Sequence, residues 1–212
     1  MNPFSYGTIV RGGNFYDRKE ESARLINTLS GGNNMVLLAP RRFGKTSLVF
    51  NVIERLERRG FLCVYFDFMP VFSPESFVRL YTKALSAKMP NLKRFAQIFA
   101  STIKSIRPVL TFGKDGKAEI SIDFANAEVD ETVIAKLIDL PEQIAGKSRR
   151  VIVFFDEFQE VEKLQKSISK RFYAAKFSSN KRQITSFWAV KRICLERCLA
   201  TKVERFITRH YK

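Results

Sequence analysis

The amino-acid sequence predicts an α/β domain with a mainly parallel sheet and flanking helices. Short apolar runs of strand length alternate with amphipathic stretches of helical period, which is the pattern of strands joined by crossover helices. The runs at residues 34–39 and 151–155 are apolar almost throughout, as expected of strands that are buried on both faces. With 212 residues, 45% of them hydrophobic, the chain suffices for one such domain and an appendage.

The first elements are predicted in the order helix, strand, helix, strand. A short amphipathic helix that ends at Gly31 precedes the strand at residues 34–39. After an intervening turn, a helix with one apolar face runs to Gly60 and leads to a second strand at residues 61–68. This order is typical of a parallel α/β sheet.

The middle of the chain adds helices and a hairpin. Ser73, followed by a proline, is predicted to cap a helix, and another helix is predicted at residues 91–106. Two short strands flank an Asp-Gly pair at Asp115, which predicts a hairpin appended to the main sheet. A last helix, opened by Asp130, leads to the strand at residues 151–155.

The segment from Ala39 to Thr46, A-P-R-R-F-G-K-T, lies between a predicted strand and a predicted helix. It matches the phosphate-loop pattern G-x-x-x-x-G-K-[ST], except that Ala39 replaces the first glycine. Backbone N–H groups of such a loop and of the helix N-terminus form an anion-binding nest. The alternative is an ordinary basic turn before a helix. The predicted nucleotide-binding residues are Ala39, Pro40, Arg41, Arg42, Phe43, Gly44, Lys45, Thr46 and Ser47.

Three of these residues have distinct predicted roles. Lys45 is expected to reach the β and γ phosphates and to act in catalysis, and the Thr46 hydroxyl is expected to ligate magnesium. Gly44 leaves room for the phosphates to approach the backbone closely.

Asp156 and Glu157 follow the most apolar predicted strand. Ligands bind at the carboxyl ends of parallel strands, so we expect Asp156 to hold magnesium together with Thr46. Glu157 is then expected to polarise the attacking water. An Asp-Glu pair after a strand also occurs by chance, so this prediction depends on its pairing with the phosphate loop.

Four stretches of the chain resemble the AAA-related archaeal-type ATPase family. They are N-P-F at residues 2–4, F-Y-D-R-K-E-E at 15–21, A-P-R-R-F-G-K-T-S-L at 39–48 and V-F-F-D-E-F-Q-E at 153–160. The resemblance covers Met1 to about Leu164. It implies magnesium-dependent binding and hydrolysis of ATP by a P-loop NTPase of the additional-strand (AAA/ASCE) type, with the sheet order 5-1-4-3-2.

The segment from Gln165 to Lys212 differs in composition from the rest of the chain. It holds 13 of the 37 Lys and Arg residues but only two of the 21 acidic residues, and therefore +11 of the net charge of +16. It contains no glycine. Clustered basic residues are typical of nucleic-acid-binding proteins, but their confinement to one segment favours a different origin for that segment.

The shifted reading frame of this segment resembles the missing part of the family. Each shifted codon takes the third base of one residue and the first two bases of the next. Trp188 followed by Ala189 forces a glycine codon, and the next two junctions permit serine and lysine, so the family's sensor sequence G-S-K emerges. Residues 172–177 likewise permit the family's L-R-S-K-I-Q. We therefore predict a frameshift between about Leu164 and Ser169, the alternative being a genuine basic extension.

Two expectations follow for the fold. In the implied sheet order, the sensor strand lies between the phosphate-loop strand and the strand that ends at Asp156. If the segment after Leu164 is out of frame, the C-terminal part of the sheet should be missing and these two strands should lack their shared neighbour. The domain prediction is an incomplete ATPase domain at residues 1–164 and a non-native tail at 165–212.

Three interpretations of function stay open. The first is an ATPase that couples its nucleotide state to a partner protein, to attached domains or to self-association. The second is a nucleic-acid-binding protein that uses the basic tail, and the third is a nucleotide-dependent scaffold without turnover. The first residues show no basic segment followed by an apolar one, and no run reaches the roughly 18 apolar residues of a membrane span, so we expect a cytoplasmic location without membrane contact.

Overall fold

The computed structural model describes residues 18–38, 44–113, 115–146, 149–164, 184–190 and 206–207. The helices in this part of the chain are α1 (Lys19–Ser30), α2 (Lys45–Arg58), α3 (Pro74–Ser86), α4 (Leu92–Thr102) and α5 (Glu131–Ala145), with a short 3-10 helix at Phe158–Lys163. The strands are β1 (Met35–Leu38), β2 (Leu62–Asp67), β3 (Arg107–Phe112), β4 (Ala118–Asp123), β5 (Val151–Asp156), β6 (Ile184–Val190) and β7 (Phe206–Ile207). None of the described helices is long and apolar enough to cross a membrane.

The main sheet has five strands in the order β2-β5-β6-β1-β7, and every neighbouring pair is parallel. The strands of this sheet can be numbered 1 to 5 along the chain, as β1, β2, β5, β6 and β7, because β3 and β4 form a separate sheet. Their order from β7 is then 5-1-4-3-2, which is the order that the family resemblance implies. The prediction of an α/β fold with a parallel sheet of the additional-strand type is therefore confirmed.

The expectation that β1 and β5 lack a common neighbour is wrong. Strand β6 lies between them, with Phe187 opposite both Met35 and Phe154. The physical reason is that the ladder is formed by backbone N–H and C=O groups, which any residue other than proline supplies. Ile184–Val190 contains no glycine or proline and is rich in β-branched and aromatic residues, so it suits a strand in either account of its origin.

Local sequence explains where the helices begin and end. The Ser76 N–H donates to Ser73 Oγ and the Ser73 N–H donates to Ser76 Oγ, a reciprocal cap that starts α3 as predicted. The Val133 N–H donates to the Asp130 carboxylate at the start of α5. The predicted helix at residues 91–106 ends earlier, at Thr102, because the chain turns to bury Ile103 in the core.

The predicted hairpin is confirmed as a separate antiparallel sheet of β3 and β4. It lies against α3 and α4. Ile120 and Ile122 of β4 are buried there, whereas Phe112 of β3 is exposed.

The main sheet separates two apolar cores. On one face, α1 and α2 pack against alternate residues of the strands, including Cys63 and Phe154. On the other face, α3, α4, α5 and β4 cover the intervening residues, including Phe66 and Phe155. Side chains of successive strand residues point to opposite faces, so Asp156, two residues after Phe154, lies on the α2 face.

Candidate functional site

Helix α2 begins directly after Gly44, whose backbone is left-handed with φ 65°. Only glycine adopts this conformation without strain, so Gly44 allows the sharp turn that leads into the helix. The first helical residues are Lys45, Thr46 and Ser47, which stand at the N-terminal end of α2 as predicted. The predicted contacts Ala39, Pro40, Arg41, Arg42 and Phe43 lie outside the described residues.

The Lys45 ammonium group contacts both predicted acidic residues. Its Nζ lies 3.0 Å from Asp156 Oδ1 and 3.7 Å from Glu157 Oε1. The side chains of Lys45 and Asp156 are only 9% and 6% exposed, so their charges are weakly screened by solvent. The structure thus brings together residues that lie more than a hundred positions apart in the sequence.

Thr46 contacts Oδ2, the second oxygen of the Asp156 carboxylate. The Thr46 hydroxyl donates to Asp156 Oδ2 at 3.2 Å. A hydroxyl and a carboxylate at this separation are the oxygen donors that suit Mg²⁺, which proteins bind through one or two side chains together with substrate phosphates. The pair therefore fits the predicted magnesium site.

Glu157 has an unusual backbone conformation, with φ 49° and ψ 37° in the left-handed region. Non-glycine residues are uncommon there, and such residues cluster at functional sites. The Glu157 N–H donates to Asp156 Oδ1 at 2.9 Å, and the Gln159 side-chain amide donates to Glu157 Oε2. The Gln159 amide thus holds the Glu157 carboxylate, whose other oxygen lies next to the Lys45 ammonium group.

Two residues of β2 complete the site and were not predicted from the sequence. The Tyr65 hydroxyl donates to Asp156 Oδ2 at 2.9 Å, and Asp67 lies opposite Asp156 in the strand register. Burial raises the pKa of Tyr65, and the Asp156 charge and hydrogen bond raise it further, so the hydroxyl keeps its proton at neutral pH. The signal in the sequence was the aspartate at the carboxyl end of a second apolar strand, the same position that Asp156 has in β5.

A phosphate-loop helix whose lysine and threonine face an acidic residue at the end of a parallel strand defines a P-loop nucleoside triphosphatase of the AAA-related type. Residues 15–187 match the family described as an ATPase domain predominantly from Archaea. The chain belongs to this family. The match extends beyond Leu164 to Phe187 in β6.

Solved structures show the same fold. A Walker-type ATPase of Pyrococcus abyssi is 20% identical with a TM-score of 0.52, and the similarity covers 89% of this chain and 49% of that one. The ORC1 protein of Aeropyrum pernix, solved in complex with DNA, is 16% identical with a TM-score of 0.53, and the similarity covers 88% of this chain and 42% of that one. The chain therefore spans about half the length of these proteins. No curated protein matches it in sequence.

Proposed function

We propose that this chain is a magnesium-dependent ATPase domain that binds ATP at the N-terminus of α2 and hydrolyses its terminal phosphate. The observation that carries the proposal is the convergence of Lys45 and Thr46 with Asp156 and Glu157. Membership of an ATPase domain family supports ATP as the nucleotide.

In this proposal the phosphate loop binds ATP through backbone and side chain. Backbone N–H groups of the loop, which every residue from 39 to 47 except Pro40 has, would bind the phosphates, and the positive end of the α2 dipole favours their charge. Lys45 neutralises the β and γ phosphates. Its contacts of 3.0 Å and 3.7 Å with the two carboxylates support this role, because they bring its ammonium group to the residues proposed to hold magnesium and to activate the water.

Thr46 and Asp156 would hold the magnesium ion that accompanies ATP. When bound, that ion neutralises charge on the β and γ phosphate oxygens. The donor set of one hydroxyl and one carboxylate, 3.2 Å apart, supports this assignment.

Glu157 is proposed as the group that orients and deprotonates the attacking water. The water oxygen forms a bond to the γ phosphorus, the bond from that phosphorus to the β–γ bridging oxygen breaks, and the products are ADP and phosphate. The water proton passes to the Glu157 carboxylate. The Gln159 amide supports this role by orienting that carboxylate.

The parent protein is proposed to couple its nucleotide state to a partner protein, to attached domains or to a second copy of itself. The chain spans about half the length of the structurally similar proteins, and the attached domains would lie in the remaining length of such a protein. A scaffold that binds nucleotide without turnover is the alternative, and Glu157 beside Lys45 argues against it. A cytoplasmic location is part of the same proposal.

The test of this function is ATP binding and phosphate release by the 212-residue chain and its Lys45→Ala variant. We expect the variant to lose ATP binding or turnover because it lacks the charge that holds the terminal phosphates. Lys83→Ala is the matched control, since Lys83 is exposed on α3 and pairs with Glu119 on the surface. Unchanged affinity and turnover in Lys45→Ala would refute the phosphate-loop assignment.

Nucleic-acid binding through the segment Gln165–Lys212, which carries +11, is the alternative from a different class, although the confinement of this charge to one segment does not support it. Deletion of this segment would also remove β6 from the sheet, so it cannot separate the two functions. A variant in which Lys166, Lys170, Arg171 and Lys176 are all changed to glutamine alters no residue of β6. Each of these side chains that binds a DNA phosphate contributes about one to the slope of affinity against salt concentration, so the variant should show a smaller slope. Unchanged binding at several salt concentrations would remove this candidate.

The segment 165–212 remains proposed as an out-of-frame tail, and residues 1–164 as the family's own sequence. The support is the codon correspondence at Trp188, Ala189 and the residues around them. Strand β6 does not separate the two accounts, because its residues suit a strand in either of them.

A further inference from the structure

The Asp156 carboxylate accepts hydrogen bonds on both of its oxygens. Oδ1 accepts from the Lys45 ammonium group at 3.0 Å and from the Glu157 N–H at 2.9 Å. Oδ2 accepts from the Thr46 hydroxyl at 3.2 Å and from the Tyr65 hydroxyl at 2.9 Å. A carboxylate offers about four acceptor positions, so these four donors fix its orientation.

Tyr65 differs from the other three donors in its place in the fold. Lys45 and Thr46 belong to the phosphate-loop helix and Glu157 follows Asp156 directly, whereas Tyr65 lies on the neighbouring strand β2. The register pairs Tyr65 with Phe154, so its ring must extend along the sheet by two residues to reach Asp156. The reach of a tyrosine side chain permits this diagonal contact.

The Tyr65 ring is itself held by the phosphate-loop helix. Phe50 of α2 packs against it with the ring centroids 4.7 Å apart and the planes inclined by 37°. The direction of the hydroxyl is therefore set by packing between α2 and β2. Any force that turns the Asp156 carboxylate away from Thr46 has to break the Tyr65 hydrogen bond as well.

We propose that Tyr65 is a positioning residue for the magnesium site, holding Asp156 Oδ2 towards the Thr46 hydroxyl. This inference rests on the proposed function, because it concerns the ion that accompanies ATP. Hydrogen-bond donors that orient metal-binding carboxylates commonly affect metal affinity by about 10- to 100-fold. Tyr65 acts through Asp156, so ATP binding without magnesium should not depend on it.

The variant Tyr65→Phe removes the hydroxyl and keeps the ring that packs on Phe50. The experiment measures ATP affinity by calorimetry in the 212-residue chain over a range of Mg²⁺ concentrations and in EDTA. We expect the Mg²⁺ concentration that gives half of the affinity gain to rise about tenfold. The affinity in EDTA should stay that of the unmodified chain.

Tyr81→Phe is the matched control. Tyr81 is fully buried in the core on the opposite face, and its hydroxyl has no hydrogen-bond partner among the described residues. Its removal tests the loss of a tyrosine hydroxyl without touching Asp156. We expect no change in the Mg²⁺ dependence.

Two results would overturn the inference while leaving the proposed function intact. One is an unchanged Mg²⁺ dependence in Tyr65→Phe, and the other is an equal shift in Tyr65→Phe and Tyr81→Phe, which would indicate a general effect on packing. If the unmodified chain binds no ATP at any Mg²⁺ concentration, the proposed function fails and the inference fails with it.

Discussion

Asp67 lies opposite Asp156 in the register of β2 and β5, so neighbouring parallel strands end in a carboxylate at the same edge of the sheet. Burial raises the pKa of Asp67, although the Met69 N–H, which donates to it at 2.8 Å, opposes this. The charges of Asp156 and Glu157 raise the pKa further. The folded protein therefore holds a proton on Asp67 more tightly than the unfolded chain does, and ionised Asp67 lowers stability.

Asp67→Asn is expected to raise the free energy of unfolding. The increase should be smallest at pH 4 and largest at pH 7. Stability that depends on a protonated carboxyl is complete below the ordinary pKa of 3.8 and is lost as the pH rises through the raised folded value. Asparagine avoids this loss and keeps an oxygen acceptor for the Met69 N–H. Because Asp67 is only half-buried, solvent screening limits the gain to less than about 1 kcal/mol. Urea unfolding in EDTA at several pH values measures it.

Asp123→Asn is the control for the change in net charge. Asp123 accepts a backbone hydrogen bond from Ala125 in the same manner, at the exposed end of β4. Equal gains in the two variants would attribute the effect to net charge and contradict the role of the Asp67 environment.

Glu157→Gln is expected to keep ATP binding but to slow hydrolysis at least about tenfold, which is about 1.4 kcal/mol of barrier. Glutamine has nearly the same shape and can occupy the same backbone conformation beside Gln159, but it cannot accept the water proton. Single-turnover phosphate release and ATP affinity are measured on the same preparation.

Glu162→Gln controls for the loss of a carboxylate near the site. Glu162 lies on the 3-10 helix five residues beyond Glu157, and its side chain is exposed. Its turnover should equal that of the unmodified chain. Parallel loss of binding and turnover in Glu157→Gln would instead make Glu157 structural or a metal ligand.

The sequence alone supplied most of the fold because the strands and helices have different periods. The all-apolar run at Val151–Phe155 and the alternating faces of α2 and α5 could be assigned without the structure. The strand order could not be obtained this way, because periodicity says nothing about which strands are neighbours. It came from the family resemblance, and the register of β2 with β5 came from the structure.

The candidate site was predicted as far as motifs extend. Lys45, Thr46, Asp156 and Glu157 belong to patterns with fixed spacing or a fixed place at a strand end, and the structure brings them together. Tyr65 belongs to no such pattern. Its contact with Asp156 depends on a diagonal reach across two paired strands, which a linear sequence does not encode locally.

Strand β6 changes the basis of the frameshift prediction. The prediction that the central position of the sheet is empty assumed that the residues after Leu164 could not form a strand, but Ile184–Val190 pairs with both β1 and β5. The backbone groups of β1 and β5 that face each other's position are therefore paired, and they give no reason to expect low stability. What separates the two frames is the side chains, because the shifted frame ends this strand in the family's polar sensor, whereas this chain ends it in Ala189 and Val190.

The final prediction compares the 212-residue chain with a chain whose codons after about Leu164 are read in the shifted frame. The carboxyl end of β6 lies between the ends of β1 and β5, beside Lys45 and Asp156. A polar side chain there can form a hydrogen bond to the charged phosphate, and such bonds contribute about 1.5–3 kcal/mol.

We expect the frame-restored chain to hydrolyse ATP at least about tenfold faster, since about 1.4 kcal/mol corresponds to a factor of ten. We also expect it to melt at a higher temperature and more cooperatively, because its remaining residues continue the family's own sequence. Thermal melts, ATP titrations and phosphate release are measured side by side, and the encoding DNA is sequenced from the codon of Phe155 to the end of the reading frame. A sharp melt, micromolar ATP binding and equal turnover in the 212-residue chain would show that its own residues complete the domain, and the frameshift would then be rejected.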